Sequence, residues 1–306
     1  MTYEGFQMNG MRVLFFGMLG VFSLPPLQAL IEADITVVGV VVPAHNRHKP
    51  LRELKQITAV SNLLLTPTQP NIVHLAWSHH IPVYEVNHLA APETARLLAG
   101  LHPDVVCVAC FNKRIPADLL KIPRHGFLNI HPSLLPQFRG PAPLFWTFRA
   151  GMQETGVTVH LMDDGLDTGD IAQQAPLILP AGISGQEADV LTGRLGGQLL
   201  IKTLTQLAND TLTPIFQPAG GSSQPWPQAA DFRVPVFWTV RRAFNFMRGT
   251  AVFGQPFVVE LADGAEIGVQ TAVAFSQNAQ LSQLIVRQGN HLHIQFVDGV
   301  LTCLEV

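Results

Sequence analysis

Cysteine is scarce in this chain: Cys107, Cys110 and Cys303 are the only three in 306 residues. So few thiols exclude a disulfide framework and fit a reducing compartment. Charge is scarce too, at 13% of residues with a formal net of −3. No general basic field exists to gather a polyanion, so DNA is not an expected partner and any RNA would have to meet a local patch. Long apolar runs are also missing. The most apolar stretch, VLFFGMLGVFSL at 13–24, is too short to span a bilayer, and two prolines follow it in place of a small-residue cleavage site. It reads as a strand and a turn, and the expectation is a cytoplasmic protein with no membrane partner. Internal repeats and low-complexity tracts are absent.

What is present is apolar residue content of 47% and a mean hydropathy of +0.25, the signature of a core-rich globular chain. Residues 1–10 lack periodicity and read as a tail. MRVLFFG (11–17) then reads as a buried strand, PLQALIEA (26–33) as a helix and ITVVGVVV (35–42) as a second strand. The alternation resumes with NIVHLAWSHH (71–80), IPVYEV (81–86), TARLLAGL (94–101) and DVVCVACF (104–111). Strand and helix alternating in this way predict a doubly wound parallel sheet, whose ligands sit outside the carboxyl ends of the strands. The C-x-x-C pair Cys107/Cys110 falls inside the last of these strands, so both are expected to be core thiols rather than a redox or metal pair. Between 43 and 70 runs an insertion carrying His45, Arg47, His48, Lys49, Arg52 and Lys55, read as a solvated loop or a substrate-facing one. Residues 209–230, with Pro214, Pro218, Pro225, Pro227 and GGSS, have linker composition. Beyond them a helix at 240–249 and short alternating segments with Asp-Gly pairs at 263–264 and 298–299 predict a small β-barrel of hairpins.

The stretch FLNIHPSLLP (127–136) places polar side chains in an apolar segment. On a strand, Asn129 and His131 share one face, and Pro132 ends the ladder because it has no N–H to donate. An amide and an imidazole would then emerge together at the ligand edge of the sheet, equipped to meet an oxyanion and to move a proton. A satisfied core histidine is the bland alternative. A second polar cluster, MDDGLDTGDI (162–171), makes a tight acidic turn after the strand GVTVHLM (156–162). A carboxylate there could orient His131 or raise its pKa. A calcium loop would require a glutamate at the twelfth position from Asp163, where Gln174 stands. A plain solvated turn is the other reading.

NIHPSLLP (129–136), RGPAP (139–143), GVTVH (156–160) and GLDTGD (165–170), in that order and spacing, resemble the signature of the 10-formyltetrahydrofolate-dependent formyltransferases. Within that family the pattern is most like the methionyl-tRNA branch, and the similarity covers most of the chain. The resemblance implies a Rossmann-like doubly wound, mostly parallel sheet over 11–208, a linker over 209–230 and an OB-like β-barrel over 231–306. It implies 10-formyltetrahydrofolate as formyl-donor cosubstrate, an acceptor amine, and no metal. Carried over by position, Asn129, His131 and Asp167 form the catalytic set, with His160 and Arg139 in support. Ser133, Leu134, Leu135 and Pro136 on one loop, Met162, Asp163, Asp164 and Gly165 on another, and Phe111 and Ile115 as walls, would frame the folate.

The departures concern the acceptor. VPAHNRHKPLRELKQ (42–56) is basic but lacks the glycines of the tRNA enzymes' loop, and GMLGVFSLPP (17–26) lacks the Gly/Ser-rich phosphate cradle of the glycinamide ribonucleotide enzymes. From Asp231 onward five arginines face six carboxylates, a poor composition for a phosphate-binding face. Methionyl-tRNA is therefore weighed against a small amine of the amino-sugar or hydroxyornithine type. A hydrolase releasing formate and a non-catalytic folate- or RNA-binding relative are the alternatives from other classes.

Overall fold

The computed structural model describes residues 10–44, 51–54 and 70–306, and the chain divides into two compact units. The first comprises Met1–Arg139, Gly156–Pro176 and Val190–Ser222. Its strands are β1 (Arg12–Gly17), β2 (Thr36–Pro43), β3 (Leu51–Leu54), β4 (Val83–Val86), β5 (Val105–Ala109), β6 (Phe127–His131), β7 (Glu154–Leu161) and β8 (Ile171–Ile178). They form one sheet in the order β3-β4-β2-β1-β5-β6-β7-β8. The pairs β1/β2, β2/β4, β1/β5 and β5/β6 are parallel, while β3/β4 and β6/β7 are antiparallel. From β1 the chain winds outward to β2 and β4, then returns to β5 on the other side. The switch point therefore lies between β1 and β5, where a doubly wound sheet opens its crevice.

Helices α1 (Leu24–Glu32), α2 (Ile72–Ser78), α3 (Pro92–Gly100) and α4 (Ala117–Leu120) make the crossovers. Asn71 starts α2 by accepting the N–H groups of Val73 at 3.0 Å and His74 at 3.2 Å, satisfying donors that the first turn leaves unpaired. Alternation along the central strands splits their side chains between two layers. Val13, Phe15, Val40, Val42, Leu128 and Ile130 pack on one face with Leu27, Leu30, Leu200 and Leu204. Leu14, Phe16, Val41, Val106, Val108 and Phe127 pack on the other with Leu98 and Leu119. Burial on both faces is why these strands read as nearly continuous apolar runs.

The expected strand and helix order holds, with additions that composition did not signal. A strand, β3, lies within the 43–70 insertion, while the run 45–50 and residues 55–69 lie outside the described residues, as does the tail over 1–9. The expectation of two core cysteines is corrected. Cys107 is fully buried, but β5 ends at Ala109, and Cys110 turns out of the strand with φ +58° to become exposed at the carboxyl edge. Its thiol lies 3.9 Å from the Met18 sulfur, past the end of β1.

The second unit comprises Gly140–Thr155, Leu177–Asp189 and Ser223–Val306. Helix α5 (Pro143–Arg149) belongs to it, and α6 (Gly185–Ala208) begins in it. Ser184 and Glu187 open α6 as a reciprocal cap, each accepting from the other's backbone N–H at 3.3 and 2.9 Å. Farther along, α6 packs on the back of β6 within the first unit, and a Cβ at Gly196 would come 2.5 Å from the Ile130 side chain. After β9 (Arg233–Pro235) and α7 (Val240–Thr250) come β10 (Phe257–Glu260), β11 (Glu266–Gln277), β12 (Ile285–Gln288), β13 (His291–Phe296) and β14 (Gly299–Glu305). These six strands form a separate, barrel-like sheet in the order β12-β13-β14-β11-β10-β9, antiparallel except for β9/β10. Both Asp-Gly pairs sit at the expected hairpins. Phe145, Phe232, Phe246 and Phe257 form its aromatic core, with neighbouring rings 5.1–5.7 Å apart at the tilted and edge-on angles such pairs prefer. Among the described residues no helix is long and apolar enough to cross a membrane.

Candidate active site

β6 ends at His131, and its alternation puts Asn129 and His131 on one face while Leu128 and Ile130 enter the core behind them. The antiparallel register of β6 with β7 sets Asn129 directly opposite His160 and His131 opposite Thr158. The acidic turn then folds Asp167 back over this face. The result is a cluster of two buried imidazoles with a half-buried amide and carboxylate, in which Asp167 Oδ2 lies 3.7 Å from His131 Nδ1 and Asp167 Oδ1 lies 3.5 Å from His160 Nε2. Asn129 Nδ2 donates to Asp167 Oδ1 at 3.3 Å and pairs with His160 Nε2 at 3.1 Å.

Hydrogen-bond partners determine the tautomers. His160 Nδ1 is 2.9 Å from the Leu161 carbonyl, so that nitrogen carries the proton and Nε2 accepts from Asn129. His131 Nε2 is 2.8 Å from the Phe138 carbonyl, so it donates there and leaves Nδ1 as the basic nitrogen, on the Asp167 side. The Asn129 amide is oriented by the same logic. Turning it over would set its oxygen against the Asp167 carboxylate. In this resting arrangement the Asn129 amide nitrogen is engaged by both His160 and Asp167.

Burial is the largest influence on His131 and pulls its pKa below the ordinary 6.5. Asp167 and the Phe138 carbonyl push it upward but do not prevail, and His160 pulls it further down. The expected rise in the His131 pKa is therefore corrected: the carboxylate is in place, yet an imidazole only 4% exposed loses more by desolvation than one partner at 3.7 Å returns.

The remaining expected residues fall into three groups, with Arg139 apart. Ser133 and Leu135 are buried, and their loop is pinned to β7: Thr158 Oγ1 donates to the Ser133 carbonyl at 2.7 Å and accepts the Leu135 N–H at 3.1 Å. Leu134 and Pro136, half-buried, alternate with them. Phe111, Ile115 and Met162 share one apolar cluster with Phe16, the Phe111 and Phe16 rings 5.1 Å apart. Asp163, Asp164 and Gly165 are exposed on the turn, where Asp163 accepts from Gly165 N–H at 3.0 Å and Thr168 Oγ1 at 2.7 Å. Arg114 donates to the Asp164 carbonyl at 2.9 Å, joining the 111–115 segment to that turn. Arg139 reaches the Asp167 carbonyl at 3.2 Å, so it faces the loop's backbone.

Three residues were missed. Thr158 sits under the SLLP loop, Gln174 donates to the Leu135 carbonyl at 2.9 Å, and Gln217 contacts the carbonyls of Asp167 and Gly169. The alternation of β7 could have flagged Thr158, on the His160 face. Gln217 stands in a stretch whose prolines and glycines carry no such period.

The family model described as formyl transferase matches residues 11–196. Over 243 residues the chain is 35% identical to a methionyl-tRNA formyltransferase of Pelotomaculum thermopropionicum, covering 78% of this chain and 72% of that one. A methionyl-tRNA formyltransferase of Syntrophomonas wolfei is 25% identical over 299 residues, covering 97% and 90% of the two chains. In fold the chain is similar to the N-formyltransferase of Helicobacter canadensis, with a TM-score of 0.66 at 16% identity over 95% of this chain and 98% of that one. A doubly wound sheet bearing an amide, two imidazoles and a carboxylate at its ligand edge thus coincides with the span of one family, and this chain belongs to the formyltransferases.

Proposed function

We propose that this chain transfers a formyl group from 10-formyltetrahydrofolate to an acceptor amine, with Asn129, His131 and Asp167 as catalytic residues. The convergence of these three on one cluster with His160 is the observation that carries the reading. The Phe111, Ile115 and Met162 surface suits the flat apolar face of a pterin, and the 162–165 turn would border it. The folate supplies the formyl carbon and leaves with a proton on the nitrogen that had carried it.

His131, neutral at rest with its lone pair on Nδ1, accepts the proton that the attacking amine must shed. The imidazolium so formed is flanked by Asp167 and the Phe138 carbonyl, the two influences that raise the His131 pKa. Having formed, it returns the proton to the departing nitrogen, so the imidazole ends as it began. Asn129 meets the oxyanion that develops on the formyl oxygen by redirecting one N–H, and the longer bond to Asp167 is the one to yield. His160 holds the other N–H and keeps the amide aimed.

Methionyl-tRNA, named in the sequence relatives, is the first acceptor to test. A small amine is favoured by a separate observation. In the second unit Arg233 pairs with Glu260 and Glu266, Arg287 pairs with Glu305 at 3.0 Å, and Arg242 lies 3.8 Å from the Trp238 ring centre. Cations so occupied are poorly placed to neutralise phosphates. The solved relative that carries dTDP-3-aminofucose shares this fold. Turnover measured on methionyl-tRNA and on a panel of amino sugars and hydroxylamines decides between them. Formyl transfer to none of them, with formate released instead, would refute the transferase reading.

A further inference from the structure

The backbone that presents Asp167 is gripped by one side chain from a distant part of the chain. Gln217 is 3% exposed, and all of its hydrogen-bonding capacity is used. Its Nε2 donates to the carbonyls of Asp167 at 2.8 Å and Gly169 at 2.7 Å. Its Oε1 accepts from Arg139 Nε at 3.1 Å and Nη2 at 2.6 Å. Arginine can only donate and a backbone carbonyl can only accept, so the amide has a single possible orientation here. Two features mark the loop's backbone as constrained. Asp167 has φ +55°, a left-handed conformation that aspartate tolerates better than most side chains but at some cost in free energy. The approach at Gly169 is so close that a Cβ would run into the Leu161 carbonyl. Around them Asp163, Asp164, Gly165, Leu166 and Thr168 are exposed. The segment reaches the loop by a two-way bridge, Ile171 and Ile215 exchanging N–H···O bonds of 2.8 Å.

We infer that Gln217 is a positioning residue for catalysis: through the Asp167 and Gly169 carbonyls it holds the Asp167 carboxylate between His131 and His160. The inference rests on Asp167 being a catalytic residue, and the variants separate the two. Gln217→Met keeps the length and loses the amide. Gln217→Glu keeps the pairing with Arg139 but turns a carboxylate oxygen toward two carbonyls. Both are expected to lower kcat by about tenfold to a hundredfold, the scale of a misplaced catalytic group, with KM for the folate nearly unchanged. Gln217→Met should also lower the pKa of His131, followed by NMR without substrates, because the carboxylate that raises it is no longer held in place; Gln217→Glu adds a carboxylate of its own and is read on kcat alone. Phe216→Ser, at a neighbouring side chain that is 79% exposed, serves as the control with wild-type kcat. If Asp167→Asn is inactive while both Gln217 variants keep wild-type kcat and Gln217→Met keeps the wild-type His131 titration, the inference falls and the site reading stands. If Asp167→Asn is active, the site reading falls first. Gln217 variants that lose only melting temperature, or that do not fold at all, mark a structural residue and overturn the inference.

Discussion

Replacing Asn129 with alanine separates transition-state binding from the resting network. At rest the amide donates to His160 Nε2 at 3.1 Å and Asp167 Oδ1 at 3.3 Å. Removing it strips a donor from a histidine that is 2% exposed, and a buried acceptor left unpaired costs about 1–3 kcal/mol. The Asp167 side chain is 10% exposed, so water entering the vacated space can serve it and the cost there is smaller. The fold should survive, since such a loss is a fraction of the roughly 5–15 kcal/mol that holds a domain together. Catalysis should suffer differently. The donor to the oxyanion works only as charge develops, and losing one such donor costs about 10²–10³ in kcat, or roughly 2.7–4 kcal/mol. KM for the folate should move little, because the interaction is absent from the ground state. Asn129→Asp, equal in size but without donors and carrying a second charge beside Asp167, should be at least as impaired at neutral pH. Single-turnover formyl transfer at saturating donor, run beside a thermal melt, measures both effects. A kcat within threefold of wild type, or a loss carried wholly in KM, would refute the oxyanion role.

Two further predictions follow from pKa directions. Because burial lowers the His131 pKa below 6.5, the acidic limb of kcat/KM should lie below pH 6.5, and an NMR titration should find His131 lower still in Asp167→Asn. In the window between the folded value and 6.5 the unfolded chain binds more protons, so His131 supports stability above that window and loses it as pH falls through it. An NMR titration placing His131 above 6.5 would reverse both statements. The thiols should react in sequence: Cys110, exposed, labels at once in the native state, while Cys303, raised to about 12, and Cys107, raised still higher by burial, wait for unfolding. Equal labelling rates at Cys107 and Cys110 would show that β5 does not end at Ala109.

Local pattern carried much of this protein. The apolar strands with intervening helices specified a doubly wound sheet because a buried strand must be apolar on both faces. The period of two put Asn129 and His131 together, and Pro132 marked the strand's end. Those relations span a few residues and need no partner to be legible. The Cys110 position was not legible, because one left-handed residue past a strand end leaves no trace in hydropathy. Nor was the charge state of His131, since the depth of burial that outweighs Asp167 belongs to the whole cluster.

What the sequence by itself determined is which groups stand at the ligand edge. The tertiary structure alone decided how they are paired. The antiparallel register of β7 on β6 brings His160 to Asn129 across thirty-one positions, and a glutamine fifty positions from Asp167 holds that residue's backbone. The physical reason is range. Strand period and turn chemistry act between neighbours, whereas a buried carbonyl must be satisfied by whatever donor the fold brings to it, and in this protein that donor is carried by a segment with no pattern of its own.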